Sequence, residues 1–309
     1  MKSLINKQLQ LLCVLLLLTS GCKASTDINY KADTNDTNNT FGYSFGMFHE
    51  SSIDEHETYY KIIGGNDNTF TPELMIDNEL DIPSNYRIFA LNNFNQQLMT
   101  FENLEHSYLD LKLEPFEKKT FNITLNVDQG ANSIVVVCIR EPDRILREKQ
   151  YVSSNGVYAL RRAVVINQPE TTYSIQTNEL FENISVNDKS IQEEDGIIAP
   201  HIVLDDDTEL QTRIPSSYSG SLNLIVGNSK PNTKYAVISI IGDQILSNNY
   251  PFIQVNEPGV VELDLIDLPL EGKLNKNLVI CVIENPFSLD SEEVAYADNR
   301  FVNIITLSE

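Results

Sequence analysis

Apolar and polar positions alternate along most of this chain in short runs broken by Gly, Asn, Asp and Pro, and no segment sustains a helical period. A first series of runs covers Gly42 to Phe48, Tyr59 to Ile63, Leu74 to Ile76, Tyr86 to Leu91, Tyr108 to Leu113, Phe121 to Val127, Ile134 to Ile139 and Ala163 to Ile166. A second series covers Ile202 to Leu204, Leu222 to Val226, Tyr235 to Ile241, Val260 to Ile266, Leu278 to Ile283 and Phe301 to Thr306. Strands of this length, separated by turn residues and without intervening helices, predict an all-β chain of antiparallel sandwiches rather than an α/β fold.

The second series reads as a copy of the first. The run Ser133 to Cys138, closing in Ile139-Arg140-Glu141-Pro142, returns as Leu278 to Cys281, closing in Val282-Ile283-Glu284-Asn285-Pro286. Each is an apolar, β-branched segment ended by a proline, as expected of a strand buried on both faces. Leu74-Met75-Ile76 through Tyr86-Arg87-Ile88 lines up with Leu224-Ile225-Val226 through Tyr235-Ala236-Val237, and Phe121 to Leu125 lines up with Leu263 to Asp267. Tyr158-Ala159, Arg162, Val164 and Ile166 return with the same spacing as Tyr296-Ala297, Arg300, Val302 and Ile304. Matching the two cysteines places Cys138 and Cys281 at equivalent sites, each expected inside its own core as a free thiol. The expected organisation is one repeat over 42–167, a linker or edge segment over 168–197, and a second repeat over 198–309. In strand number the repeats resemble immunoglobulin-like or fibronectin-like sandwiches, although tryptophan and a paired core disulfide are missing.

The N-terminus sets the compartment. Lys2 and Lys7 form a positive n-region before an apolar core over Leu9 to Leu18 that is too short for an ordinary membrane span. It ends in Leu18-Thr19-Ser20-Gly21-Cys22, which resembles the lipobox of bacterial prolipoproteins, with Thr19 where the commonest pattern has a branched aliphatic residue. The resemblance implies cleavage after residue 21, acylation of Cys22 and attachment to a bacterial membrane from the extracytoplasmic side. Residues 22–41 are polar and aperiodic, and read as a tether with a reach of roughly 25 Å.

Charge narrows the partners. The formal net charge of -22, from 44 acidic against 22 basic residues, disfavours nucleic acid. One stretch runs against it: Arg140, Arg144, Arg147, Lys149, Arg161 and Arg162 face only Glu141, Asp143 and Glu148 between residues 140 and 162. This group could meet an anionic polymer, a phospholipid surface, or acidic segments of the same chain such as Glu193-Glu194-Asp195. Arg162 and Arg300 are expected on the face of their strand that also carries Val164 and Ile166, or Val302 and Ile304.

Two acidic groups carry histidine, His49-Glu50 with Asp54-Glu55-His56-Glu57, and His201 with Asp205-Asp206-Asp207 and Glu209. Neither has the spacing of a zinc or calcium site, so no metal and no cofactor is expected. His-Glu-x-x-His and phosphate-loop motifs are absent from the sequence. The sequence reading is therefore a lipid-anchored, non-catalytic binding or structural module of the cell envelope. An envelope enzyme or metal-binding protein using scattered carboxylates and histidines, or a plain surface spacer, is the alternative.

Overall fold

A computed structural model describes residues 42–52, 59–62, 68–146, 156–166, 181–188, 200–204, 211–220, 222–228, 230–246, 251–265, 270, 272–289, 299–302 and 304–309. The lipobox, Cys22 and the tether lie outside the described residues, as do Arg147, Lys149, Asp54 to Glu57 and Asp205 to Glu209.

The first repeat contains β1 (Tyr43–Phe48), β2 (Tyr59–Ile62), β3 (Thr69–Phe70), β4 (Glu73–Asn78), β5 (Ser84–Asn92), β6 (Asn95–Gln97), β7 (Met99–Phe101), β8 (Leu104–His106), β9 (Leu109–Leu113), β10 (Lys118–Asn122), β11 (Thr124–Asn126), β12 (Gly130–Arg140) and β13 (Val157–Ile166). The second contains β14 (Glu182–Ile184), β15 (His201–Leu204), β16 (Arg213–Pro215), β17 (Leu222–Asn228), β18 (Thr233–Ile241), β19 (Gln244–Leu246), β20 (Phe252–Val255), β21 (Gly259–Asp264), β22 (Asn277–Glu284), β23 (Asn299–Phe301) and β24 (Ile305–Ser308).

Each repeat is a two-sheet sandwich built to one plan. In the first, sheet β1-β4-β10 faces sheet β2-β13-β12-β5-β6, with β9 also on β5; in the second, sheet β15-β17-β21 faces sheet β14-β20-β18-β22-β24-β16, with β19 on β18 and β23 on β22. Most ladders are antiparallel, but β2 joins β13 in parallel and β16 joins β24 in parallel at the matching place of each copy. The short sheet β3-β11-β7-β8 belongs to the first repeat and β14 to the second. The tandem all-β sandwich architecture expected from the sequence is thus the observed one.

The polar segment before repeat two is partly sheet: β14 pairs in parallel with β20, so the second repeat takes in residues well before 198. Ile184 and Val186 pack against its core, which fixes this segment as an edge strand rather than a free linker.

Period-two alternation sorts the central strands. Ile134, Val136 and Cys138 of β12, with Tyr86, Ile88 and Ala90 of β5, fill the first core. Leu278, Ile280 and Val282 of β22, with Tyr235 and Val237 of β18, fill the second. The opposite faces of these strands do not meet water. Phe89, Leu91, Val135, Val137 and Ile139 of the first repeat pack on Ile238, Ile240, Val279, Cys281 and Ile283 of the second, in one cluster. Two sandwiches therefore stack sheet on sheet, and Phe41–Glu309 forms one compact unit.

Cys281 consequently faces the seam between the repeats while Cys138 faces the first core, so the expectation that each lies in its own core fails for Cys281. The proline-anchored turns give the register: Glu141 and Asn285 both adopt left-handed φ (49° and 48°), with Glu141 N–H on Asn85 O and Asn285 N–H on Lys234 O. Counting back, Val137 rather than Cys138 corresponds to Cys281. A slip of one residue turns a side chain to the other face. Both thiols are free and buried, and point to opposite sides of their sheets.

The second apparent repeat motif also shifts. Arg162 pairs opposite Ile134, but Arg300 pairs opposite Val282, the residue corresponding to Cys138, which pairs with Tyr158. Phe301 lies opposite Cys281 and Ile305 opposite Leu278, so the chain carries one extra residue between β23 and β24. Arg300 thus stands where Tyr158 does, four residues from the match that spacing alone suggested, and the extra residue follows it.

Candidate functional site

The seam between the repeats gathers the polar chemistry that the sequence left scattered. Ser133 Oγ donates to Pro286 O at 2.7 Å, and Asn277, its counterpart nine residues before the other proline, donates from Nδ2 to Pro142 O at 2.8 Å. Asn277 Nδ2 also reaches Arg144 O at 2.9 Å, while Arg161 reaches the matching Ser288 O. Thr306 Oγ1 accepts Leu146 N–H at 2.9 Å and donates to Asn277 Oδ1 at 2.8 Å. Each repeat thus holds the turn after the other's central strand, in the reciprocal manner of a two-fold interface.

The basic group is divided by this arrangement. Arg161 is 1% exposed, with Nε on Ser133 Oγ at 2.9 Å and on Pro286 O at 2.8 Å, so it fastens the repeats together and is closed to an outside anion. Its odd position on β13 turns it to the seam beside Val157 and Ala159. Arg162 turns to the other face, as expected, and its guanidinium meets Arg161 O at 2.9 Å and Met47 O at 3.5 Å. Arg140 is half-buried at the end of β12 and Arg144 is exposed. The four described members, Arg140, Arg144, Arg161 and Arg162, do not form one basic patch.

Arg87, not singled out from the sequence, is a heavily engaged charge. It is buried at the seam, with Nε and Nη2 on Asp110 at 2.7 and 2.9 Å, Nη1 and Nη2 on Asp143 at 3.2 and 3.0 Å, and Nη1 on Gly242 O of the second repeat at 3.1 Å. Its guanidinium also lies 4.9 Å from the Tyr108 ring centroid. Hydrogen bonds to Asp110 lead the causes that push its pKa further up, so the cation is permanent. Its strand neighbours gave no hint, because a single Arg in an apolar run reads as an edge residue.

Of the histidines, His49 packs half-buried against Tyr60 and Phe70, its Nδ1 accepts Ser51 N–H at 3.1 Å, and burial lowers its pKa. An open cavity of about 630 Å³ beside it is lined by Glu50, Thr71, Glu73 and Asn122. His201 sits half-buried in β15. Among the described residues no group of three or more His, Cys, Asp or Glu side chains has the proximity to hold a metal.

No protein-family model matches the chain, and no curated protein matches it. Among solved structures it is similar to red sea bream transglutaminase at 7% identity and a TM-score of 0.25, over 87% of this chain and 32% of that one. The chain thus spans about a third of that protein's length. It is also similar to the apo form of the Calx CBD1 domain, at 8% identity and a TM-score of 0.22 over 40% of this chain and 98% of that one. The CBD12 fragment of CALX1.2 aligns at 9% identity and a TM-score of 0.21, over 76% of this chain and 81% of that one. The fold assignment stands on the strand pairing and the two-layer cores described above.

Proposed function

We propose that this chain is a lipid-anchored, extracytoplasmic, non-catalytic binding or structural module of a bacterial cell envelope. The observation that carries the reading is Leu18-Thr19-Ser20-Gly21-Cys22 at the end of a short apolar core, followed by a polar tether and then by the sandwich unit. Two or three acyl chains on one cysteine hold a protein stably at a bilayer where a single chain does not. The seam supports the structural half of the reading, since a sheet-on-sheet junction makes the two sandwiches one stiff body for the tether to carry. Arg144, exposed in the turn after β12, is the described member of the basic group best placed for an envelope partner.

Replacing Cys22 by Ser tests the reading. The expected outcome is that the wild-type chain fractionates with membranes and its mature N-terminal peptide carries the acyl mass, while Cys22→Ser leaves the chain unacylated and uncleaved after residue 21. An unmodified Cys22 in the wild type, or a Cys22→Ser chain still cut after residue 21, contradicts it.

A further inference from the structure

The two ends of the seam occupy matching places in the repeats yet are built from opposite chemistry. The hairpin β5–β6 turns through Asn93-Phe94, with Asn92 opposite Asn95; the hairpin β18–β19 turns through Gly242-Asp243, with Ile241 opposite Gln244. Each tip reaches the other repeat at a corresponding seat. In the first repeat the seat is Arg87, the Asp110 paired opposite it on β9, and Asp143 just after Pro142; it receives Gly242 O. In the second repeat the same three places hold Ala236, the Phe252 paired opposite it on β20, and Phe287 just after Pro286. That seat receives Phe94, whose ring centroid lies 5.6 Å from Phe252 and 5.3 Å from Phe287, both edge-on. Phe181 completes it, 5.8 Å from Phe252, with Lys234 Nζ 4.8 Å from its own ring centroid.

The backbone shows that the aromatic contact is enforced. Phe94 has φ 65° and Asn93 φ 47°, the left-handed pair that a tight two-residue hairpin requires. Glycine is the usual second residue there, and a bulky side chain in this region is an outlier held by its surroundings. Gly242, the counterpart of Asn93, takes φ 60° in the other tip, where a Cβ would meet the Lys276 side chain at 2.9 Å, and its carbonyl accepts from the Arg87 guanidinium at 3.1 Å.

We propose that the two tips and two seats form a pairing code, in which the aromatic tip fits only the aromatic seat and the polar tip only the ionic seat. The seam then joins unlike repeats in one orientation. Pairing of like repeats, between two copies of the chain, would set Phe94 against the Arg87–Asp110–Asp143 group and Asp243 against Phe252 and Phe287, burying an acid among rings without a partner. A nearly two-fold interface thereby rejects its own symmetric alternative. This inference does not depend on lipid attachment.

A thermal-unfolding cycle on the full chain tests the code. Phe94→Gly removes the backbone strain together with the ring. The code predicts that its Tm falls by about 4 °C or more, whereas a merely strained turn predicts a rise. Phe94→Asp, and the seat exchange Ala236→Arg/Phe252→Asp/Phe287→Asp, are each expected to lower Tm, and their combination to recover at least half of the summed loss. A Tm for Phe94→Gly equal to or above wild type overturns the proposal, as do losses that simply add. If the seat-exchanged chain does not fold, the sign of the Phe94→Gly shift decides alone.

Discussion

Asn78 and Asn228 do the same work at the same place in the two repeats. Asn78 Nδ2 holds Ile82 O and Glu114 O at 2.9 Å each and Oδ1 accepts Tyr86 O–H at 3.0 Å; Asn228 Nδ2 holds Lys230 O and Glu257 O, and Oδ1 accepts Tyr235 O–H at 2.6 Å. A buried amide that satisfies two loop carbonyls and a phenol leaves little freedom for the loops it ties. Burial is the main cause that raises the Tyr86 pKa to about 12, and burial also leads in raising Tyr43, whose hydroxyl donates to Cys138 O at 2.9 Å. A folded-state pKa above the unfolded value near 10 means that the unfolded chain loses its proton first. Stability is therefore full below about pH 10 and is lost as pH rises from there towards 12. Urea titrations at several pH values should show this fall, with part of the tyrosinate absorbance appearing only together with unfolding. A stability that is flat across that window contradicts the buried phenols.

At the scale of elements, β12 and β22 were legible as strands and as copies, because β-branched runs closed by a proline are strong local signals. Which way each side chain points was not legible, since matching cysteine to cysteine is off by one and alternation converts that into opposite faces. Strands such as Asn95–Gln97 and Leu104–His106 lacked any apolar alternation and stayed hidden, their pairing being set by turns and neighbours. The seam was invisible for a related reason. A strand buried on both faces reads alike whether its second face meets a helix, a loop or another sandwich. Arg161 shows what this conceals, a basic residue of a charged run that holds buried carbonyls across the junction. Arg161→Lys keeps the charge but loses the planar fork, and at about 1.5–3 kcal/mol per hydrogen bond from a charged donor it should cost roughly 2–4 kcal/mol. The matching drop in Tm is about 4–10 °C. Arg162→Lys, on the half-buried opposite face, should stay within about 1 kcal/mol. Equal losses in chemical denaturation for the two variants would show that the seam bonds of Arg161 carry no special weight.

For the molecule as a whole, the seam decides whether two sandwiches act as beads or as one body. Among the described residues fourteen buried side chains form its apolar cluster, and full burial of an aliphatic side chain contributes roughly 1.5–3 kcal/mol. A junction of that size, with Arg161, Ser133, Asn277, Thr306 and Arg87 hydrogen-bonded at it, couples the repeats. The lipid anchor and tether, read from sequence alone, belong to the proposed function, in which they give this body its place. Differential scanning calorimetry tests the central claim most directly. One body predicts a single reversible transition for the full chain, with calorimetric and van't Hoff enthalpies equal. Two resolved transitions, or a calorimetric enthalpy about twice the van't Hoff value, would contradict it.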